Sequence, residues 1–183
     1  AANITIVENG GQDKICYEFH QDGSQRKCLV IPDGAFRNPM TVEQIQNQIV
    51  RMPLTGVVMD GSTVFNFAQK EVPILVDSLT KMAETTKEDI DWFLFHQPNK
   101  FMLQKLAERI GVPFEKMPMD IVEKFGNSNS ATIPTAITAD LKEEMLNKES
   151  LCCLAGFGAG VAWAGIIMKM GNMDFCDTII SDL

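Results

Sequence analysis

Three short segments carry side chains suited to polar chemistry: His96-Gln-Pro-Asn99, Gly126-Asn-Ser-Asn-Ser130 and Gly156-Phe-Gly-Ala-Gly160. A neutral imidazole donates one hydrogen bond and accepts another, and the amide of Asn127 is a donor that does not titrate. Glycines let main-chain N–H groups approach a ligand closely, because they accept φ > 0 and add no Cβ. Each segment also has an ordinary structural use. A histidine at a strand end is commonly just hydrogen-bonded in place, and Gly-Asn-Ser is turn chemistry. Gly156-Phe-Gly-Ala-Gly160 departs from the dinucleotide fingerprint because no helical pattern follows it, so a tight turn between strands is expected. The five cysteines, Cys16, Cys28, Cys152, Cys153 and Cys176, are odd in number and form no C-x-x-C pair, which signals neither a zinc site nor a closed disulfide framework. Cys152 and Cys153 lie within the apolar run Leu151 to Ala155, where burial is expected before nucleophilic work.

Those segments need elements to hold them. Asn3 to Glu8 alternates loosely, and Ile15, Tyr17 and Phe19 alternate strictly with polar neighbours, so two strands are expected to open the chain. Asp33-Gly34 and Asn38-Pro39 mark irregular backbone, and Thr41 with Gln44 makes a capping box for a short helix carrying Val42, Ile45 and Ile49. After Asp60-Gly-Ser62, the spacing of Val64, Ala68, Val72, Leu75, Leu79 and Met82 predicts a long helix, with a kink or a lost hydrogen bond at Pro73. Trp92-Phe-Leu-Phe95 reads as a strand buried on both faces, ending at His96. Asn99 can cap a helix striped by Leu103, Leu106, Ala107 and Ile110, which Gly111 and Pro113 end. A further helix, striped by Ile133, Ile137, Leu141 and Met145, follows Ser130, with Pro134 in its first turn. Strands Leu151 to Ala155 and Val161 to Met168 flank the glycine-rich turn. Alternating strands and helices indicate an α/β layer sandwich, in which all three segments fall at strand ends, where open sheets place their sites.

Composition sets the outer bounds. With 183 residues, 45% of them apolar and 22% charged, the chain suits one compact domain. A net charge of −8 argues against general nucleic-acid binding, leaving only local basic clusters to hold an anion. No apolar run reaches the roughly 18 to 20 residues of a membrane span, and no signal-peptide pattern opens the chain. A cytoplasmic setting with reduced thiols and no membrane is expected.

Read in order, His96-Gln-Pro-Asn99, Phe125-Gly-Asn-Ser-Asn-Ser-Ala-Thr-Ile-Pro134 and Gly156-Phe-Gly-Ala-Gly-Val-Ala-Trp163 resemble the C-terminal half of the 3-oxoacyl-acyl-carrier-protein synthase III family. Asp22-Gly-Ser24 and Met59-Asp-Gly-Ser-Thr-Val-Phe65 extend the resemblance upstream, so that it covers roughly residues 1 to 170 and leaves 171 to 183 as a C-terminal tail. The resemblance implies half of a thiolase-like fold, a mixed five-stranded sheet with packed helices. It also implies a transferase of fatty-acid or polyketide synthesis. In that chemistry a cysteine acylated from acyl-coenzyme A accepts a carbanion made by decarboxylating malonyl-acyl carrier protein. No metal or prosthetic cofactor is implied, and a homodimer is.

By the same resemblance His96 and Asn127 match the family's histidine and asparagine, His96 acting as a neutral donor, and the N–H of Ala159 matches half of an oxyanion hole. Gly61, Phe65, Pro98 and Asn99 match positions lining the pantetheine tunnel. Many relatives carry an arginine two residues after the Asn of His96-Gln-Pro-Asn99, where this chain has Phe101; Lys100 and Lys105, with Arg109, are the cations left for carrier-protein contact. The family's nucleophilic cysteine belongs to an N-terminal half with no counterpart here, so this chain alone is expected to be inactive. Two other readings stand beside this one: a non-catalytic partner subunit of a split ketosynthase that binds carrier protein, and a hydrolase using Cys152 or Cys153 with His96.

Overall fold

In the computed structural model, residues 2–8, 11, 13–32, 39–43, 45–46 and 56–179 are described. The elements run β1 (Cys16–Gln21), β2 (Leu29–Val30), β3 (Val58–Met59), α1 (Gly61–Ala83), β4 (Trp92–Phe95), α2 (Lys100–Ile110), α3 (Ile121–Phe125), α4 (Thr132–Asp140), α5 (Lys142–Asn147), β5 (Glu149–Gly158) and β6 (Ala162–Gly171). The main sheet has four strands in the order β1-β6-β5-β4. β4 runs parallel to β5, while β6 is antiparallel to both β5 and β1. A second, two-strand ladder joins β2 to β3.

Alternation along the strands divides the core between the two sheet faces. Phe93, Phe95, Cys153, Ala155 and Ile167 face α1 and α2, joining Val72, Leu75, Leu79, Leu103 and Leu106. Leu94 and Cys152 point the other way, onto Ile137, Leu141 and Met145 of the α4–α5 layer. Helix α1 lies very close to the sheet at Gly165. A Cβ there would sit 2.7 Å from Leu79 Cδ1 and 2.9 Å from Leu75 Cδ2, so the missing side chain sets the approach. The helix runs on through Pro73, started by Asp60, whose carboxylate accepts from the Thr63 N–H at 3.1 Å.

Two expectations change, and a third lies largely outside the described residues. The main sheet has four strands, not five, because residues 3–8 enter no ladder; Ile4 and Val7 are 86% and 87% exposed. Alternation supplies a strand's faces, but a strand also needs a neighbouring edge, and none of the described strands pairs with this segment. The single stripe from Ile133 to Met145 belongs to two helices, since Leu141 leaves helical geometry at φ −121°. Its four apolar side chains still meet in one cluster, which is why the periodicity survives the break. The Thr41 helix is described only at residues 42–43 and 45–46, and the Asp33-Gly34 and Asn38 signals lie outside the described residues.

After β6 the chain turns back over the α4–α5 layer. The Met173 N–H donates to the Met145 carbonyl (2.9 Å), and Cys176 is buried against Ile137 and Leu141. Among the described residues, no helix is long and apolar enough to cross a membrane.

Candidate active site

The buried run of β4 delivers His96 to the rim of the sheet. Its N–H still donates to the Ala155 carbonyl (2.8 Å), so the ladder with β5 holds its backbone. The next side chain, Gln97, is fully buried, and its Nε2 donates to the carbonyls of Phe95 (3.0 Å) and Pro118 (2.8 Å). That clamp fixes the segment on which the imidazole sits. The ring itself is held on two sides: Nδ1 lies 2.8 Å from Thr132 Oγ1, and Phe157 meets the ring edge to face at 5.6 Å. Burial pushes the His96 pKa below the usual histidine value and outweighs the Asn129 carbonyl, which raises it by accepting from the imidazole. The imidazole is therefore neutral at pH 7.

Asn127 follows Gly126, whose φ of 68° is a left-handed turn that suits glycine. Its Oδ1 accepts from the Asn129 N–H at 2.9 Å, which fixes the amide orientation and commits the carbonyl oxygen. The amide NH₂ is then the end left for a ligand. The third segment is a hairpin turn: β5 and β6 stay paired as far as Gly158 opposite Ala162. Gly160 carries the positive φ of that turn, at 138°, while Ala159 stays outside the left-handed region. An alanine at that position is thus accommodated without strain.

One cavity of about 550 Å³ brings these pieces together, lined by His96, Pro98, Asn127, Thr132, Phe157 and Ala159, with Leu29, Met59 and Val64 on its apolar side. Gly61, Phe65 and Asn99 stand next to it in the chain but do not line it. Gly61 opens α1, Phe65 stacks on Phe101 at 5.9 Å, and Asn99 caps α2 by accepting from the Met102 N–H at 2.8 Å. The proposed carrier-protein lysines are occupied locally: Lys100 pairs with Asp120 (2.6 Å) and Glu123 (3.5 Å), and Lys105 with Glu108 (2.7 Å).

All five cysteines are buried. Burial raises the pKa of both Cys152 and Cys153 to about 12, so neither is a thiolate near neutrality. The adjacent thiols also project to opposite faces of the sheet, which removes the support for a cysteine hydrolase. Among the described residues no cluster of His, Cys, Asp and Glu could hold a metal ion. Sequence reasoning missed Thr132. Its signal is a buried hydroxyl one residue ahead of the Ile133 stripe, which makes sense only once His96 is placed against it.

His96, Asn127 and the glycine-rich turn thus share one cavity at the rim of a mixed sheet layered with helices. Residues 80–170 match the family described as 3-Oxoacyl-[acyl-carrier-protein (ACP)] synthase III C terminal. The chain is 31% identical over 169 residues to the beta-ketoacyl-[acyl-carrier-protein] synthase III of Synechocystis sp., covering 92% of this chain and 50% of that protein. It is 35% identical over 157 residues to the synthase III of Prochlorococcus marinus, covering 86% and 46%. The crystal structure of a 3-oxoacyl-(acyl-carrier protein) synthase from Burkholderia xenovorans superposes with a TM-score of 0.79 at 33% identity, covering 90% of this chain and 46% of that one. The chain belongs to the 3-oxoacyl-ACP synthase III family, thiolase superfamily, and carries its C-terminal domain. It spans about half the length of the curated relatives it matches.

Proposed function

We propose that this chain is the C-terminal domain of an acyltransferase that joins an acyl-coenzyme A to malonyl-acyl carrier protein by decarboxylative Claisen condensation. The observation that carries this reading is the single cavity shared by His96, Asn127 and the Ala159 turn. Loss of CO₂ from a malonyl thioester places negative charge on the thioester oxygen, and uncharged hydrogen-bonding groups fixed in a water-poor cavity stabilise it without reorganising. The Asn127 amide is a donor at every working pH. His96 is a second group at the same rim, kept uncharged by burial. The Ala159 N–H belongs to the turn that would face the carbonyl of an acylated cysteine.

The five cysteines of this chain are buried, so the nucleophile is assigned to an N-terminal half. Pantetheine contacts at Gly61, Phe65, Pro98 and Asn99, and a homodimer, belong to the same proposal. Lys100 and Lys105 enter it as weaker carrier-protein contacts, since each must first leave a carboxylate.

The test is to incubate the chain with acetyl-coenzyme A, alone and together with the N-terminal half of a synthase III relative, and to follow acyl-cysteine by mass spectrometry. The expected result is no acylation of the chain alone. In the pair, the partner's cysteine is acylated and malonyl decarboxylation depends on His96 and Asn127. Stoichiometric acylation of one of this chain's own thiols would overturn the division of labour.

A further inference from the structure

Helix α2 carries Phe101, Lys105 and Glu108 along one flank, at the spacings that bring helical side chains together. In sequence this flank looks basic, but its charges cancel locally. Lys105 is bonded to Glu108 at 2.7 Å, Lys100 to Asp120 and Glu123, and Lys70 of the neighbouring helix α1 to Glu71 at 2.7 Å. Arg109 lies in the last turn of α2, about 12 Å along the axis from Phe101. What the flank offers is a ring. Phe101 is 59% exposed although it is fixed by two neighbours: Phe65 of α1 stacks on it, with centroids 5.9 Å and planes 18° apart, and Lys105 Nζ lies 6.0 Å from its centroid. A side chain already held in place loses little freedom when a partner covers it. Chain neighbours locate the two rings: Val64 precedes Phe65, Met102 follows Phe101, and both line the cavity together with Met59, itself 62% exposed. The stacked pair therefore stands beside that wall, where the cavity meets the surface.

We propose that Phe101 is the anchor on which an acyl carrier protein docks while its phosphopantetheine arm enters the cavity, and that this docking is made by apolar contact and not by charge. The identity of the partner rests on the condensing reading. An arm that reaches His96 and Asn127 leaves its protein at the mouth, where Phe101 and Met59 are exposed. The net charge of −8 supplies no long-range attraction to a carrier that bears a phosphate, and Lys100 and Lys105 must each leave a carboxylate before meeting one. Salt screens charged docking, whereas apolar contact persists in it.

The experiment is fluorescence anisotropy of a labelled bacterial holo-acyl carrier protein titrated with the chain at about 50 and about 500 mM sodium chloride. The expected affinity differs by less than about threefold between the two salts. Phe101→Ala should weaken binding roughly 10- to 30-fold, the loss of an aromatic anchor, and Phe101→Leu less. Lys105→Gln should change it by less than about twofold, and Phe101→Arg should introduce salt dependence. Thermal melting of each variant checks that it is folded. Wild-type binding that collapses at the higher salt, a Phe101→Ala chain that binds like wild type, or no binding at all would overturn the proposal. So would an affinity for free coenzyme A that falls with Phe101→Ala as steeply as the carrier's, since the ring would then belong to the adenine. Decarboxylation of malonyl-pantetheine by the chain paired with the N-terminal half of a synthase III relative tests the condensing reading separately. It needs no carrier protein, so it can fail while docking stands or proceed while docking fails.

Discussion

Asn127→Asp separates the two ends of one side chain. In the native loop Oδ1 accepts from the Asn129 N–H at 2.9 Å, and a carboxylate oxygen in the same place accepts that bond at least as well. The turn is therefore retained, and the unfolding free energy should change by no more than the net value of one hydrogen bond, about 0.5 to 1.5 kcal/mol. The other end changes sign: an NH₂ donor lining the cavity becomes an oxygen carrying negative charge, where the proposed reaction makes the thioester oxygen negative. Losing one oxyanion donor costs about 10² to 10³ in rate, or roughly 2.7 to 4 kcal/mol, and the added charge can only deepen that loss. The assay is CO₂ release from a malonyl thioester by the chain paired with a cysteine-bearing N-terminal half. Circular dichroism and thermal melting of each variant run alongside. Asn127→Ala should lose less decarboxylation than Asn127→Asp, although it disturbs the turn more. An Asp variant with near-native decarboxylation would refute the role given to the amide.

Three other outcomes follow. Gly165→Ala should destabilise the chain by about 1 to 3 kcal/mol in denaturant unfolding, because its methyl group would press on Leu75 and Leu79. His96 has a folded pKa below the unfolded value, so the unfolded chain takes up the proton first as pH falls. Its contribution to stability is complete above about pH 6.5 and is lost as pH drops through the depressed folded value. Unfolding curves of wild type and His96→Gln should diverge only below that point. Cys152 and Cys153, with pKa values near 12, should resist alkylation at pH 7.5 in the folded chain and react at once in denaturant.

The sequence carried the site further than it carried the sheet. His96, Asn127 and Ala159 sit in segments whose residue types announce strand ends and turns, and those segments do converge on one cavity. Asn99 as the α2 cap and Gly111 as its left-handed stop were equally legible, because capping is a local matter of one side chain and one φ angle. Residues 3–8 misled for the converse reason: period-2 alternation says which face a strand would bury, whereas a ladder depends on an edge contributed from elsewhere. The break at Leu141 was hidden because the apolar spacing continues across it. Thr132 was hidden for a different reason, since its hydroxyl joins two distant stretches, His96-Gln97 at the end of β4 and Asn129 in its own turn, which no spacing rule connects. Lys100 and Lys105 looked like a basic strip until Asp120, Glu123 and Glu108 were found beside them.

The central claim is that His96 and Asn127 act on one developing charge. The most direct measurement is a double-mutant cycle on malonyl decarboxylation, using His96→Ala, Asn127→Ala and the double variant in the chain paired with the N-terminal half of a synthase III relative. Residues that act as a unit are strongly non-additive, so the expected result is a double variant little slower than the worse single one, with cysteine acylation still detectable in all three. Losses that simply multiply, or decarboxylation unaffected by either change, would contradict it.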